Sequence, residues 1–169
     1  MQRFVVPWVV TLALLPVAGL AIVLLRQWRP SRSWRRSVAE VGMVLGTLPW
    51  VWMILLPVRV PPGTKLAHWI PLSDAIEQIR DGHTVIQVGG NLGPLFALGF
   101  FASLRWPFLK WWHVLLIGAG CSLLLEVLQR VFVAGRVFSV DDILLNALGS
   151  GLGRLVLRLI PLRAPGPTR

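Results

Sequence analysis

The stretch "LLLEVLQRVFVAGRVFSVDDILLN", Leu123–Asn146, decides how the rest of the chain is read. Its first half is an apolar run that carries Glu126 and Gln129 in its interior. Arg136, Asp141, Asp142 and Asn146 follow within a short distance, and a second apolar run begins among them. A carboxylate inside an apolar helix is costly in hydrocarbon. It therefore faces a bundle interior or a wet cavity and takes a partner. The stretch predicts two helices that meet at a short turn, with polar groups turned toward each other near the turn.

Outward from this stretch the chain stays apolar. Of its 169 residues, 55% are hydrophobic and 14% charged, against about a quarter charged in a soluble domain. The runs Phe4–Leu25, Val38–Val58, Val88–Leu104, His113–Val133 and Ile143–Ile160 are each of a length suited to crossing a hydrocarbon core about 30 Å thick. Lipid demands that backbone groups pair internally, so each run is read as a helix. The expected fold class is all-α, an integral membrane helical bundle of about five transmembrane helices. The first run has Arg3 ahead of it and small residues around Ala18, as a signal peptide would. Its apolar stretch continues past that point, so it is read as an anchor.

Charge and tryptophan orient the bundle. The first short loop holds five Arg, and Arg105, Lys110, Arg158, Arg163 and Arg169 fall on the same side, giving ten. The opposite side has Arg3, Arg59, Lys65, Arg80, Arg130 and Arg136, giving six. The side richer in Lys and Arg is cytoplasmic, which puts the N-terminus outside and the C-terminus in the cytoplasm. Trp28, Trp34, Trp106, Trp111 and Trp112 fall at the predicted inner interface, and Trp8 and Trp69 near the outer one. Arg154 and Arg158 are expected to snorkel toward inner head groups. The organisation is then a first helix with its basic loop (1–37), a transmembrane core (38–160) with a long outer loop (59–87), and a disordered cytoplasmic tail (161–169). Within the long loop, "PLSDAIEQIRDG" predicts a short amphipathic helix lying on the bilayer or the bundle.

A net charge of +10 in such a chain reports topology and anionic lipid, and nucleic acid is not an expected partner. The single Cys121 excludes an internal disulfide. His68, His83 and His113 are scattered, and neither HExxH nor CxxC occurs, so no metal and no cofactor are expected.

Depth brings the polar residues to one level. Glu126 lies seven residues before the outer end of its run, about 10 Å down at 1.5 Å per residue. Gln129 is one turn higher on nearly the same face. Asp142 stands at the mouth of the last run, with Asn146 one turn deeper. Gln87 and Asn91 occupy the matching positions at the start of the third run. Arg136 lies on the short outer turn. The candidate binding residues are thus Asn91, Glu126, Gln129, Arg136, Asp142 and Asn146, and Glu126 and Asp142 are the candidates for acid–base chemistry. A bland reading stands beside this one. Gln129, Asn91 and Asn146 serve equally as hydrogen bonds between helices, and Asp142 as a helix cap with Asp141 exposed. The glycine spacings, Gly42 with Gly46, Gly149 with Gly153, and Ala147 with Gly151, predict close helix packing, either within the chain or between copies. "QVGGNLGPLF" predicts a loosened helix start at Pro94.

These residues carry a resemblance. "SLLLEVLQRVFVAGRVFSVDDILLNALGSGLG", Ser122–Gly153, resembles the signature of the VanZ-like membrane proteins. Glu126, Gln129, Arg136, Asp142, Asn146, Gly149 and Gly153 match its pattern. "WIPLSDAI" retains Ile70 and Pro71, and "GNLGPLFALGF" retains Asn91, Leu98 and Gly99. The chain departs from the pattern at Ser139, where the family often has Asp, and at Ala97, where Pro is common. The resemblance covers roughly Ile70–Leu159 and implies a four-helix core with the first helix as an addition. It implies a cell-envelope protein of bacteria, associated in the founding member with resistance to the glycopeptide teicoplanin. It implies no established reaction. Three readings follow. One is an outer-leaflet pocket for a lipid-linked or lipoglycopeptide-type ligand. The second is an intramembrane enzyme on an envelope lipid or precursor, with Glu126 as acid or base. The third is a helix-packing scaffold. Membrane lipids are expected partners in each, and a homo-oligomer through the glycine faces is a further expectation.

Overall fold

The computed structural model describes residues 2–29, 33–56, 67–72, 76, 80, 84–133 and 138–161; the side chains of 2–5, 7, 8, 54, 67, 84–87 and 91 lie outside that description. Among the described residues there are six helices: α1 (Gln2–Ala13), α2 (Leu15–Trp28), α3 (Trp34–Ile54), α4 (Thr84–Arg105), α5 (Trp111–Phe132) and α6 (Val140–Leu159). Two strands of two residues each, β1 (Ala67–His68) and β2 (Phe138–Ser139), pair in parallel. The fold is all-α in class, as the apolar runs predict.

The first apolar run is two helices, not one. They break at Leu14, just before Pro16 in the first turn of α2. Proline lacks the N–H that would bond four residues back, so the ladder loses a rung there. The bonds Leu14 N–Val10 O (3.0 Å) and Ala18 N–Leu14 O (2.8 Å) hold the two pieces together across the break. The third run differs from expectation in the other direction. α4 runs unbroken through Pro94, which is fully buried. α3 and α6 pack on it from two sides, and the helix continues through the position where the sequence predicts loosening.

Glycines set how closely the helices approach. A Cβ on Gly149 or Gly153 of α6 would collide with the backbone of Leu92, Phe96 and Phe100 in α4. A Cβ on Gly99 of α4 would collide with the backbone of Ser150. α4 and α6 therefore pack backbone to backbone, in parallel, since the contacts advance together along both. α3 seats Gly42 against the Phe101 ring and Gly46 against Ala97. The glycine spacings are met here by helices of the same chain.

Among the described residues, one helix, α5, is by itself long and apolar enough to cross a membrane. Its outer face leaves Leu116, Leu123, Leu124, Val127 and Val131 exposed. α6 does the same with Leu144, Leu148, Leu152, Leu155 and Leu159. The buried hydrophobic cluster gathers around Ala39, Leu104 and Leu157, at the opposite end from where α5 ends and α6 begins. The predicted tail falls outside the described residues, as does most of the predicted amphipathic loop helix. Of that segment Ile76 and Arg80 are helical and exposed, and Ile76 N bonds to Leu72 O at 3.0 Å.

Candidate functional site

α5 buries Val114, Gly118, Ser122, Glu126 and Gln129. The spacing of four, four, four and three residues keeps them on one stripe of the helix. The stripe starts apolar and ends polar. α6 meets it with Asn146, Gly149, Ser150 and Gly151, all buried. Gly118 lets Ser150 sit against α5, where the Ser150 hydroxyl is 3.0 Å from the Val114 carbonyl and 2.7 Å from Ala147 O in its own helix. One turn nearer the start of α6, Asn146 Nδ2 donates to Ser122 Oγ at 3.0 Å. Ser122 Oγ in turn lies 3.4 Å from the Asp142 carbonyl oxygen. Ser122 thus ties together the two residues of α6 that the sequence singles out.

The carboxylates sit differently from the bland reading. Asp141, expected to be exposed if Asp142 caps the helix, is buried at 3% exposure. The N-cap position is held by Ser139, without a side-chain capping bond, and Asp142 is half-buried in the first turn. Asp141 Oδ1 accepts a short hydrogen bond from Leu72 N. Two more contacts fasten the same segment. β1 pairs with β2 in the register Ala67–Phe138 and His68–Ser139, and the Trp69 and Phe138 rings lie 4.9 Å apart. The "WIPL" segment is therefore strapped over the mouth of α6. Leu72 takes φ 66° there, a left-handed backbone that a bulky side chain rarely adopts.

Glu126 and Gln129 are 5% and 4% exposed, and each has a polar or electrostatic partner. Asp142 has one as well. Asn146 Oδ1 is different. It is buried and no described group donates to it. A buried amide oxygen without a donor is uncommon and calls for an explanation. The backbone of Asn91 lies in α4 beside Leu92, whose carbonyl packs on Gly149. Its side chain, and Arg136 as a whole, lie outside the described residues. Of the six candidate binding residues, the structure thus brings Asp142 and Asn146 together through Ser122, and sets Glu126 and Gln129 on the same stripe of α5. Sequence reading missed Ser122, Ser150 and Asp141. Ser122 was detectable, since it is one turn below Glu126 on the same face. The Leu72–Asp141 bond spans 69 residues and has no local signal.

Among the described residues no group of His, Cys, Asp and Glu could hold a metal ion. The arrangement offers carboxylates and amides beside a strapped mouth, suited to hydrogen-bonding a polar group. No curated protein and no solved structure matches the chain. The sequence model described as VanZ/LLP1 matches residues 43–161. That span begins within α3 and takes in α4, α5 and α6, with Glu126, Gln129, Asp142 and Asn146 inside it. With well over half its length matched, the chain belongs to the VanZ/LLP1 family.

Proposed function

We propose that this protein is a multi-pass membrane protein of the cell envelope whose outer-half polar pocket binds a polar, lipid-linked ligand. A lipoglycopeptide of the teicoplanin type is one such ligand, and binding lowers the sensitivity of the cell to it. The carrying observation is a buried Glu126 and Gln129 in a helix long and apolar enough to cross a membrane. The donorless Asn146 Oδ1 supports the same reading, since a ligand hydroxyl or amide would complete it. The leucine-rich outer faces of α5 and α6 suit lipid, where a soluble monomer rarely exposes so much apolar surface. In this reading α1 and α2 together make one span, α3 to α6 make the family's core, the N-terminus is outside and the C-terminus cytoplasmic. Asn91, Glu126, Gln129, Arg136, Asp142 and Asn146 form the pocket, and the Ile70–Leu72 strap closes it.

The test is teicoplanin susceptibility of a sensitive host making wild-type protein, Glu126→Gln, or neither, at matched membrane levels. Protection by wild type and its loss in Glu126→Gln is the expected result. Equal protection by both would remove the carboxylate from the function. Absence of protection by wild type would remove the ligand class.

The burial of Glu126 favours one alternative. There Glu126 acts as acid or base on an envelope lipid, with Asp142 as a second carboxylate and Arg136 as an anion clamp. Turnover of a labelled envelope lipid by purified protein, lost in Glu126→Gln, would select that alternative over binding. A scaffold built on the glycine faces would instead be damaged more by Gly149→Leu than by Glu126→Gln. Cross-linking in membranes reads the homo-oligomer directly.

A further inference from the structure

α1 and α2 lie outside the matched span, and both rest on α3. They do not close down on it: α2 has no fully buried residue along its length. Between these two helices and the facing sides of α3 and α4 lies a cavity of about 350 Å³. Packed interiors rarely leave a void larger than a water molecule. The cavity runs along the helices. Its lining extends from Thr11 to Ile22 on α1 and α2, about 16 Å at 1.5 Å per residue. On α3 it extends from Val38 to Trp50, about 18 Å, and on α4 from Gly93 to Phe101, about 12 Å. Leu14 and Leu15, at the break between α1 and α2, both line it.

The lining is apolar. Thr11 and the Trp50 indole carry its only polar side-chain groups among the described residues, and no lining residue is charged. Arg154, buried against the snorkelling expectation, lies on α6, which does not line this cavity. A cavity of about 150 Å³ lined by Leu, Ile and Phe stays dry and takes benzene. This one has more than twice that volume and is two to three helical turns long. A head group would find no partner within it. A flexible methylene chain would: its atoms would meet wall atoms that otherwise face a void, and lost contact of that kind is what makes a void costly. Between helices in lipid, such contact is a main source of cohesion.

We propose that this cavity holds one acyl chain of a membrane phospholipid, lying between the first two helices and the core, with its head group outside. The chain completes the packing of α1 and α2 on α3 and α4. The proposal rests on the membrane reading given above, and not on the ligand of the polar pocket.

The test places the full chain in phosphatidylcholine vesicles with a trace of phosphatidylcholine whose acyl chain carries a diazirine. Irradiation attaches that chain to the residues it touches, and mass spectrometry of the digest locates the adducts. Leu116 and Val127, on the exposed face of α5, report bulk lipid. Val41 and Trp50 line the cavity and are buried, so bulk lipid does not reach them. Adducts are expected at both places in the wild type. Ala18→Phe puts a ring into the cavity and should cut the Val41 and Trp50 adducts at least about tenfold, with those on α5 unchanged. Leu20→Phe, on the exposed side of the same helix, should change neither. If Ala18→Phe does not fold, Ala18→Leu fills the cavity in part and should reduce the same adducts. Labelled Leu116 and Val127 with unlabelled Val41 and Trp50 overturns the proposal and leaves the membrane reading standing. No adducts at either place overturns both. Equal labelling of Val41 and Trp50 in wild type and the folded Ala18 variants also overturns the proposal.

Discussion

Replacing Gly153 with alanine tests the packing on which the polar site rests. The added Cβ would stand 2.7 Å from Phe100 N, and closer still to the Phe96 carbonyl oxygen. Ordinary contact begins near 3.4 Å, so α6 must withdraw from α4 by about 0.7 Å or more. Neither neighbour can yield, because both are helix backbone. Overpacking of this kind costs about 1–3 kcal/mol. The helix propensity gained from Gly to Ala returns about 0.5–1 kcal/mol. The net expectation is a loss of roughly 1–2 kcal/mol. Gly120, on α5, supplies the control. A Cβ there meets nothing within 4 Å, so Gly120→Ala should stabilise by about 0.5–1 kcal/mol. The two variants change the same atoms in the same kind of helix, and they should move the unfolding midpoint in opposite directions. Unfolding of the purified protein in mixed micelles, titrated with a denaturing detergent, reads both. The same midpoint shift in Gly153→Ala and Gly120→Ala would refute the backbone-to-backbone contact of α4 and α6.

Ser122→Ala should destabilise by about 1–3 kcal/mol in the same titration, since it leaves the buried Asn146 Nδ2 without its acceptor; a neutral result would mean that Asn146 turns to another partner. Leu72→Gly relieves the left-handed backbone at φ 66° and should stabilise the strap by about 1 kcal/mol, read as slower proteolysis in the outer loop. Asp141→Ala should act oppositely and speed cleavage there, because the Leu72 N–H loses its acceptor. Glu40→Gln breaks an ion pair whose side chains are 29% and 21% exposed, so the unfolding midpoint should move by less than about 1 kcal/mol.

The sequence made the helices legible because apolar runs of this length leave few alternatives. The boundaries differ by a few residues, and for a local reason at α5, which starts at Trp111 where His113 is the first residue of the apolar run. The extra turn is held where Lys110 N donates to His113 Nδ1 at 2.9 Å. That bond is invisible to a hydropathy reading. The shared face of Glu126 and Gln129 was legible for the opposite reason. The helix period sets it, so residues three apart had to lie on nearly the same side. The Asp142–Asn146 pair was legible on the same ground. What depth and period could not supply was rotation about the start of α6. Asp141 and Asp142 are adjacent, and about 100° of helix turn separates them. Which of them enters the protein depends on where the chain from β1 to Leu72 comes to rest, and that is a contact between distant segments.

That contact bears on how the pocket works. In the membrane reading proposed above, a polar site would need a barrier to lipid, and the strap would supply it with main-chain groups through the β1–β2 ladder, anchored by Asp141. Asp141 is occupied in holding the strap, so that reading assigns the site's carboxylate roles to Glu126 and Asp142. The left-handed Leu72 means the strap is held against a local preference of order 1 kcal/mol. A ligand that entered between Leu72 and Asp141 would release that strain while it displaced the bond. Opening of the mouth is therefore less costly than breaking a buried hydrogen bond alone, and the relaxed Leu72→Gly strap should admit ligand more slowly than the wild type. Stopped-flow association of a fluorescent lipoglycopeptide with the two proteins measures this directly. Faster entry in Leu72→Gly would show that the strained leucine holds the strap shut.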